Sequence, residues 1–338
     1  MTHRASTATN GVPGYVCDAI RNANRIALIG HVTPDADCLG VIGAMWLALP
    51  ELGKHASPAM PDGSVSRKLR FMADLCGLTP AAPPELAACD LALVMDTAKD
   101  RRVNIEGKLE ALPNAKVLNV DHHASNTMFG TWNWVEGHRS SSCEMIYEII
   151  RALGCQVTPT IATLIYAGIH GDTQGFSLSN TTPRSLQVGY ELAAAGARVA
   201  EVGERLHRSR SRSEIELLKA VYGNLHVSAD GRLAWSTLNH AEISRAGAGP
   251  NDIDDQVEVC RSVEDIAVAI LFSEGNPGKI RMNFRGERGV SVLELAQKFG
   301  GGGHNAAAGA ILDGSIADVV ARVVPVAEEY AASLMLAQ

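Results

Sequence analysis

Four short stretches of this chain place acidic and imidazole side chains where apolar runs end. His31, Asp35 and Asp37 follow Arg25-Ile26-Ala27-Leu28-Ile29-Gly30 in a His-x-x-x-Asp-x-Asp spacing. Asp96 follows the all-apolar run Leu91 to Met95, and Asp121-His122-His123 follows Lys116 to Val120. Asp172 closes the apolar segment that starts at Pro159. Each has a plain structural reading alone. An Asp before a helix caps it, an Asp beside Pro34 belongs in a turn, and two adjacent histidines can be a surface accident.

Taken together, the four stretches say more. In a parallel sheet three of them end strands and the fourth ends a helix, so all can converge on the carboxyl edge, where open α/β sheets bind ligands. His31, His122, Asp35, Asp37, Asp96 and Asp172 would then face one another. So many carboxylates would repel and raise one another's pKa, and divalent metals remove that cost. A nitrogen and oxygen set with no thiolate suits Mn²⁺ or a similar first-row ion better than Ca²⁺ or a thiolate zinc site. Six ligand side chains exceed the needs of one open catalytic metal. Two metals sharing bridging carboxylates, about 3.5–4 Å apart, account for the number.

The elements that must position these groups are legible in the pattern. Strands are expected at 25–30, 54–60, 91–95 and 116–120, most of them apolar throughout. Helices are expected at 38–49, 66–75, from a capping box at Ser141-Ser142-Cys143-Glu144 to about Leu153, and from Pro159 to Gly168. Alternation of this kind predicts an α/β fold, a largely parallel sheet with helices on both faces. From Thr182 to about Tyr222 the pattern is mainly helical and carries Arg205, Arg208, Arg210 and Arg212, which read as a solvated face or connector. Beyond Gly223 a hairpin around Asp230-Gly231, strands at 266–272 and 279–284, a helix near 290–299 and a last helix from Ser315 form a smaller α/β domain. The expected organisation is a first domain over 1–195, a helical linker over 196–222 and a second domain over 223–338.

Composition sets limits. The chain has 338 residues, enough for two domains, with 46% apolar and 20% charged residues, as in a soluble enzyme. A formal charge of -7 argues against a grip on long nucleic acid through its phosphates. The seven cysteines are odd in number and form no Cys-x-x-Cys pair, which fits a reduced, cytoplasmic setting. The first fourteen residues lack an apolar core, so no signal peptide is expected. No apolar run approaches the roughly 20 residues of a membrane span.

In the second half, Gly300-Gly301-Gly302-Gly303-His304 follows a predicted helix. Consecutive glycines let a backbone approach an anion closely, with amides free to point at it.

The order of the first four motifs, with Asp-His-His third, resembles the DHH phosphoesterase superfamily, and the glycine run ending in His304 resembles its DHH-associated domain. Together they cover most of the chain. The likeness is greatest to the compact two-domain members, the nanoRNases, also described as bifunctional oligoribonucleases and 3′-phosphoadenosine 5′-phosphate (pAp) phosphatases. The resemblance implies two divalent ions. His31, Asp35, Asp96 and Asp172 would hold one; Asp37, Asp96, His122 and Asp172 would hold the other. It gives Asp121 the role of orienting a neighbouring ligand, and His123 that of meeting the substrate phosphate. In the second domain, Gly302, Gly303, His304 and Arg285 would bind substrate, with Arg285 able to grip a phosphate in bidentate fashion.

Some positions depart from the family pattern. Asp35-Ala36-Asp37-Cys38 stands where relatives commonly have Gly between the aspartates and Ala after them, and Val41 stands where Ser is frequent. His170-Gly171 precedes Asp172, and Gln174 precedes Gly175-Phe176. Asp254-Asp255 is more acidic than usual. No metal ligand is lost. The function implied is Mn²⁺-dependent hydrolysis of short oligonucleotides to mononucleotides, with pAp as a second substrate. A cyclic or linear dinucleotide phosphodiesterase is the alternative, followed by a pyrophosphatase or exopolyphosphatase and a non-catalytic nucleotide-binding protein. Expected partners are short oligonucleotides or nucleotide bisphosphates, not membranes or long duplexes. A homodimer is one option for the assembly.

Overall fold

The computed structural model describes residues 11–60, 65–249, 252–253, 256–303 and 305–334. The chain divides into two compact units, Met1–Ser209 and Arg210–Gln338, the break falling within the 196–222 segment.

The first unit runs through helix α1 (Gly14–Asn22), strand β1 (Arg25–Ile29), α2 (Ala36–Ala48), β2 (His55–Ala59), α3 (Arg70–Cys76), α4 (Pro83–Ala87), β3 (Leu91–Met95), β4 (Lys116–Asp121), β5 (Trp132–Val135), α5 (Ser142–Leu153), α6 (Pro159–Asp172), α7 (Pro183–Ala194) and α8 (Val199–Gly203). All five strands are parallel, in the order β2-β1-β3-β4-β5. The chain leaves β1 for one side and returns through β3 on the other, so the sheet has its switch point between them. A crevice opens there at the carboxyl ends of the strands.

β1 and β3 are buried on both faces, which is why their sequences are apolar runs rather than alternations. Ile26, Leu28, Leu91 and Leu93 join the main core with α1, α2, α5 and α6. Ala27, Ile29, Ala92 and Val94 face a smaller cluster closed by Val103, Ile105, Leu112 and by Leu86 of α4. α2 is buried from Ala36 to Met45 and has no polar face, so it sits at the centre of the helical layer. Among the described residues, no helix is long and apolar enough to cross a membrane.

The second unit contains α9 (Arg212–Gly223), β6 (His226–Val227), β7 (Leu233–Leu238), α10 (His240–Ala246), β8 (Val268–Asn276), β9 (Lys279–Gly286), β10 (Gly302–Gly303) and β11 (Ala307–Asp313), with short helices Val257–Arg261 and Leu293–Gln297 and a long one, Ile316–Ser333. Its sheet has the order β10-β11-β9-β8-β7-β6, antiparallel except between β7 and β8. Phe272, Met282 and Phe284 pack against Val319, Val323 and Ala327 of the long helix.

Several boundaries differ from expectation. The helix expected over 66–75 is α3, which starts only at Arg70, and that expected near 290–299 is reduced to Leu293–Gln297. β5 and β11 have no counterpart in the sequence reading. At the start of α5 only half of the capping box forms. Ser141 accepts a hydrogen bond from the Glu144 amide, but the Glu144 carboxylate turns instead to Arg139 and Ser140.

Candidate metal centre

The sheet delivers its acidic groups to one place. His31 lies just beyond β1, Asp35 caps α2 by accepting from the Cys38 amide at 3.0 Å, and Asp37 sits in the first turn of α2. Asp96 follows β3, Asp121 ends β4, and Asp172 ends α6. His31 Nε2 is 3.3 Å from Asp96 Oδ2 and 3.6 Å from Asp35 Oδ2. His122 Nε2 is 3.2 Å from Asp172 Oδ2, 3.6 Å from Asp96 Oδ1 and 3.9 Å from Asp37 Oδ2. The structure therefore brings together all six side chains that the sequence nominates as metal ligands, with Asp96 between the two imidazoles.

The ring orientations turn both Nε2 atoms toward the carboxylates. His31 Nδ1 lies 2.8 Å from the Val32 carbonyl, which can only accept, so Nδ1 carries the proton. His122 Nδ1 likewise faces the Arg139 carbonyl at 3.4 Å. Each ring then turns its Nε2 toward carboxylate oxygens. Without a cation between them, these groups must take up protons. Burial pulls the His31 pKa down, but Asp35 and Asp96 outweigh it and hold it up at about 10. Asp37 rises to about 6 through burial and then Asp35, and Asp96 to about 6 through burial and then Asp37 and Asp35. Asp172 rises well above the ordinary range for the same reasons. Asp96 Oδ2 is buried and accepts no hydrogen bond among the described residues. Such an oxygen fits a metal.

Asp121 is fully buried and holds His123 rather than His122. Its Oδ1 is 2.7 Å from His123 Nδ1, and its Oδ2 accepts from Asn126 at 2.6 Å. Burial opposes the charge on His123, yet the Asp121 pairing wins and raises its pKa. His123 is also the more open ring, with its side chain 43% exposed against 15% for His122. An open imidazole whose charged form is favoured by Asp121 suits an anionic group.

The start of α5 does work that sequence reasoning missed. The Ser142 and Cys143 amides donate to the two oxygens of Asp37 at 2.6 and 2.9 Å, and the Ser142 hydroxyl donates to Asp96 Oδ1 at 3.2 Å. A helix N-terminus is a natural seat for a carboxylate. Just before it, Arg139 donates to Glu136 at 2.6 Å, to Glu144 at 2.8 Å and to both oxygens of Glu148 at 3.0 Å. This one guanidinium ties the loop whose carbonyl orients His122 to the helix whose amides hold Asp37. The signal was present as an Arg beside three serines, followed by Glu at positions 144 and 148. Arg139→Gln removes the cation from buried Glu144 and leaves Glu148 with Arg184 alone, and should cost about 3–5 kcal/mol of stability. Arg139→Lys keeps the charge but loses the bidentate grip. We expect the Lys variant to fold and to bind Mn²⁺ about 10–100-fold more weakly, as for other residues that orient ligands. Unchanged Mn²⁺ affinity in a titration by electron paramagnetic resonance would show that Arg139 only stabilises the fold.

In the second unit Gly302 and Gly303 form β10, exposed and paired with Gly309 and Ala308. Gly303 has φ +146°, and a Cβ there would stand 2.6 Å from the Ala307 carbonyl, so the strand requires glycine. Arg285 lies within β9, opposite Ala269 and Ala307, and donates to the Phe284 carbonyl at 3.0 Å. His304, and Asp254-Asp255, lie outside the described residues.

Residues 25–169 match the DHH family, N-terminal domain, and residues 236–333 match the DHHA1 domain. The chain is 32% identical over 289 residues to the bifunctional oligoribonuclease and PAP phosphatase NrnA of Thermus thermophilus, covering 86% of this chain and 84% of that protein. It is 28% identical to the protein of the same name from Bacillus subtilis, covering 85% and 89% of the two chains. Among solved structures, an exopolyphosphatase-related protein from Bacteroides fragilis superposes with a TM-score of 0.86 at 20% identity, covering 95% of this chain and 96% of the other.

Proposed function

Since the chain belongs to the DHH family of metal-dependent phosphoesterases, we propose that it hydrolyses very short oligonucleotides to mononucleotides and removes phosphate from pAp, with two Mn²⁺ ions at the β1/β3 switch point. The observation that carries this reading is the cluster of four carboxylates and two imidazole Nε2 atoms around Asp96. His31 and Asp35 would hold one ion, Asp37 and His122 the other, and Asp96 and Asp172 would be shared. When bound, the pair supplies Lewis acidity and a water of lowered pKa.

The chain's own residues do the rest. The α5 amides and Ser142 fix Asp37 and Asp96 in place. Asp121 fixes His123 in the form that donates from Nδ1 and favours its charged form, in which its other nitrogen can donate to a phosphoryl oxygen as negative charge develops. In the second unit Gly302, Gly303, His304 and Arg285 would bind a substrate phosphate. The acidic net charge agrees with small substrates rather than a long electrostatic track.

A substrate panel with Mn²⁺ tests this: a dinucleotide, a longer RNA, pAp, a cyclic dinucleotide and pyrophosphate. Rapid release of mononucleotide from the dinucleotide and of phosphate from pAp is expected. No turnover of any would overturn the enzyme reading. Turnover of pyrophosphate alone, or of the cyclic dinucleotide alone, would replace the substrate class.

The glycine run gives a sharper check. A Cβ at Gly302 meets nothing within 4 Å, so Gly302→Ala leaves the fold intact. If a phosphate approaches that backbone, the variant should raise KM for the dinucleotide roughly tenfold, the equivalent of about 1.4 kcal/mol, with kcat kept. An unchanged KM would remove Gly302 from the binding site.

A further inference from the structure

Cys38 follows Asp37 in α2, and the nitrogen and oxygen ligand set has no place for it. Its Sγ, one ring nitrogen of His31 and one carboxylate oxygen of Asp96 all lie within 4.8 Å of one another. All three residues are buried. The thiol is held there by the absence of a side chain at Gly30, where a Cβ would stand 2.1 Å from Sγ. Asp96 Oδ2, in a residue 1% exposed, lies 3.3 Å from His31 Nε2 and takes no hydrogen bond among the described residues. A buried carboxylate, an imidazole nitrogen and a sulfur thus lie around the same small space. Cys143, the other cysteine of this region, is engaged differently: its Sγ points to the Asp37 carbonyl at 3.6 Å.

We propose that Cys38 is a sulfur donor which, with His31 and Asp96, lets this position bind thiophilic divalent cations of the Zn²⁺ and Cd²⁺ type. The inference rests on reading His31 and Asp96 as metal ligands. Sulfur ligation favours soft and borderline ions over Mn²⁺, and Zn²⁺ already stands above Mn²⁺ in intrinsic affinity for mixed donor sets. When such an ion binds, the sulfur electron pair goes to the metal and the thiol proton goes to solvent. The centre therefore accepts two classes of ion, and thiophilic ions displace Mn²⁺ at lower concentration than nitrogen and oxygen ligands alone would allow.

The test uses the full chain stripped of metal and titrated with Cd²⁺, read by the ultraviolet sulfur-to-cadmium charge-transfer band. Wild type should develop one band that saturates at one equivalent. Cys38→Ala and the volume-conserving Cys38→Ser should lose it, and Cys143→Ala should keep it. Competition titrations should show Cd²⁺ affinity falling at least tenfold more than Mn²⁺ affinity in both Cys38 variants. No band in a wild-type protein that binds Mn²⁺, or a band that survives in Cys38→Ala, overturns the proposal. Failure of wild type to bind Mn²⁺ at all would instead overturn the metal reading beneath it.

Discussion

Asp96→Asn should abolish turnover while leaving the metal-free protein at least as stable as wild type. Asp96 stands between both imidazoles, with Oδ1 near His122 and Oδ2 near His31. Losing its charge weakens both proposed metal positions at once, so kcat should fall by at least about 10²–10³-fold, the scale on which one electrostatic group is felt in a buried site. Asparagine is the informative replacement. The residue has φ +52°, a left-handed conformation that Asn tolerates and that strains Ala. Its amide oxygen can still accept from the Ser142 hydroxyl. In the metal-free protein, burial and then Asp37 and Asp35 push the Asp96 pKa up to about 6, so at pH 7.5 its charge is a cost that Asn removes. Parallel assays of kcat and of metal-free Tm check both halves. Residual turnover within tenfold of wild type would refute Asp96 as a shared ligand.

Metal removal should show a pH dependence of defined sign. In the metal-free protein Asp37 and Asp96 titrate at about 6 rather than near 4, so they bind more protons folded than unfolded. Their contribution is fully present below the unfolded value and is lost as pH rises through about 6. His31, held up at about 10, adds the same trend, losing its contribution progressively from about pH 6.5 upward. The metal-free Tm should therefore fall between pH 5 and pH 8. Mn²⁺ replaces the protons, so its stabilising increment should be large at pH 8 and shrink as pH falls through about 6, where protons compete for the same oxygens. Calorimetry with and without Mn²⁺ at pH 5.0, 6.5 and 8.0 measures this. An increment independent of pH would mean that the ion binds elsewhere.

The site was legible where local sequence carries the information. Apolar runs ending in Asp or His announce strand ends, and a parallel sheet gathers such ends on one edge, so His31, Asp96 and Asp121 could be placed without coordinates. What could not be read depends on partners distant in the chain. Ser142 and Cys143 reach Asp37 across more than a hundred residues, and nothing near either announces the contact. Cys38 reads as a core residue of an apolar helix until Gly30 is seen to make room for its sulfur. The motif implied that Asp121 orients a neighbouring metal ligand, but the turn after β4 brings His123 rather than His122 to its carboxylate. β11, rich in Ala and Gly, has little intrinsic strand preference and exists because β9 templates it. β5 is a short, half-buried edge strand whose pairing with β4 does not show as an apolar run.

The most direct measurement is turnover of a dinucleotide during stoichiometric addition of Mn²⁺ to metal-free protein. With two ions sharing Asp96 and Asp172, mononucleotide release should stay near background through the first equivalent and climb steeply on the second. Full activity at one equivalent, or none at any Mn²⁺ concentration, would contradict a two-metal phosphoesterase at the β1/β3 switch point.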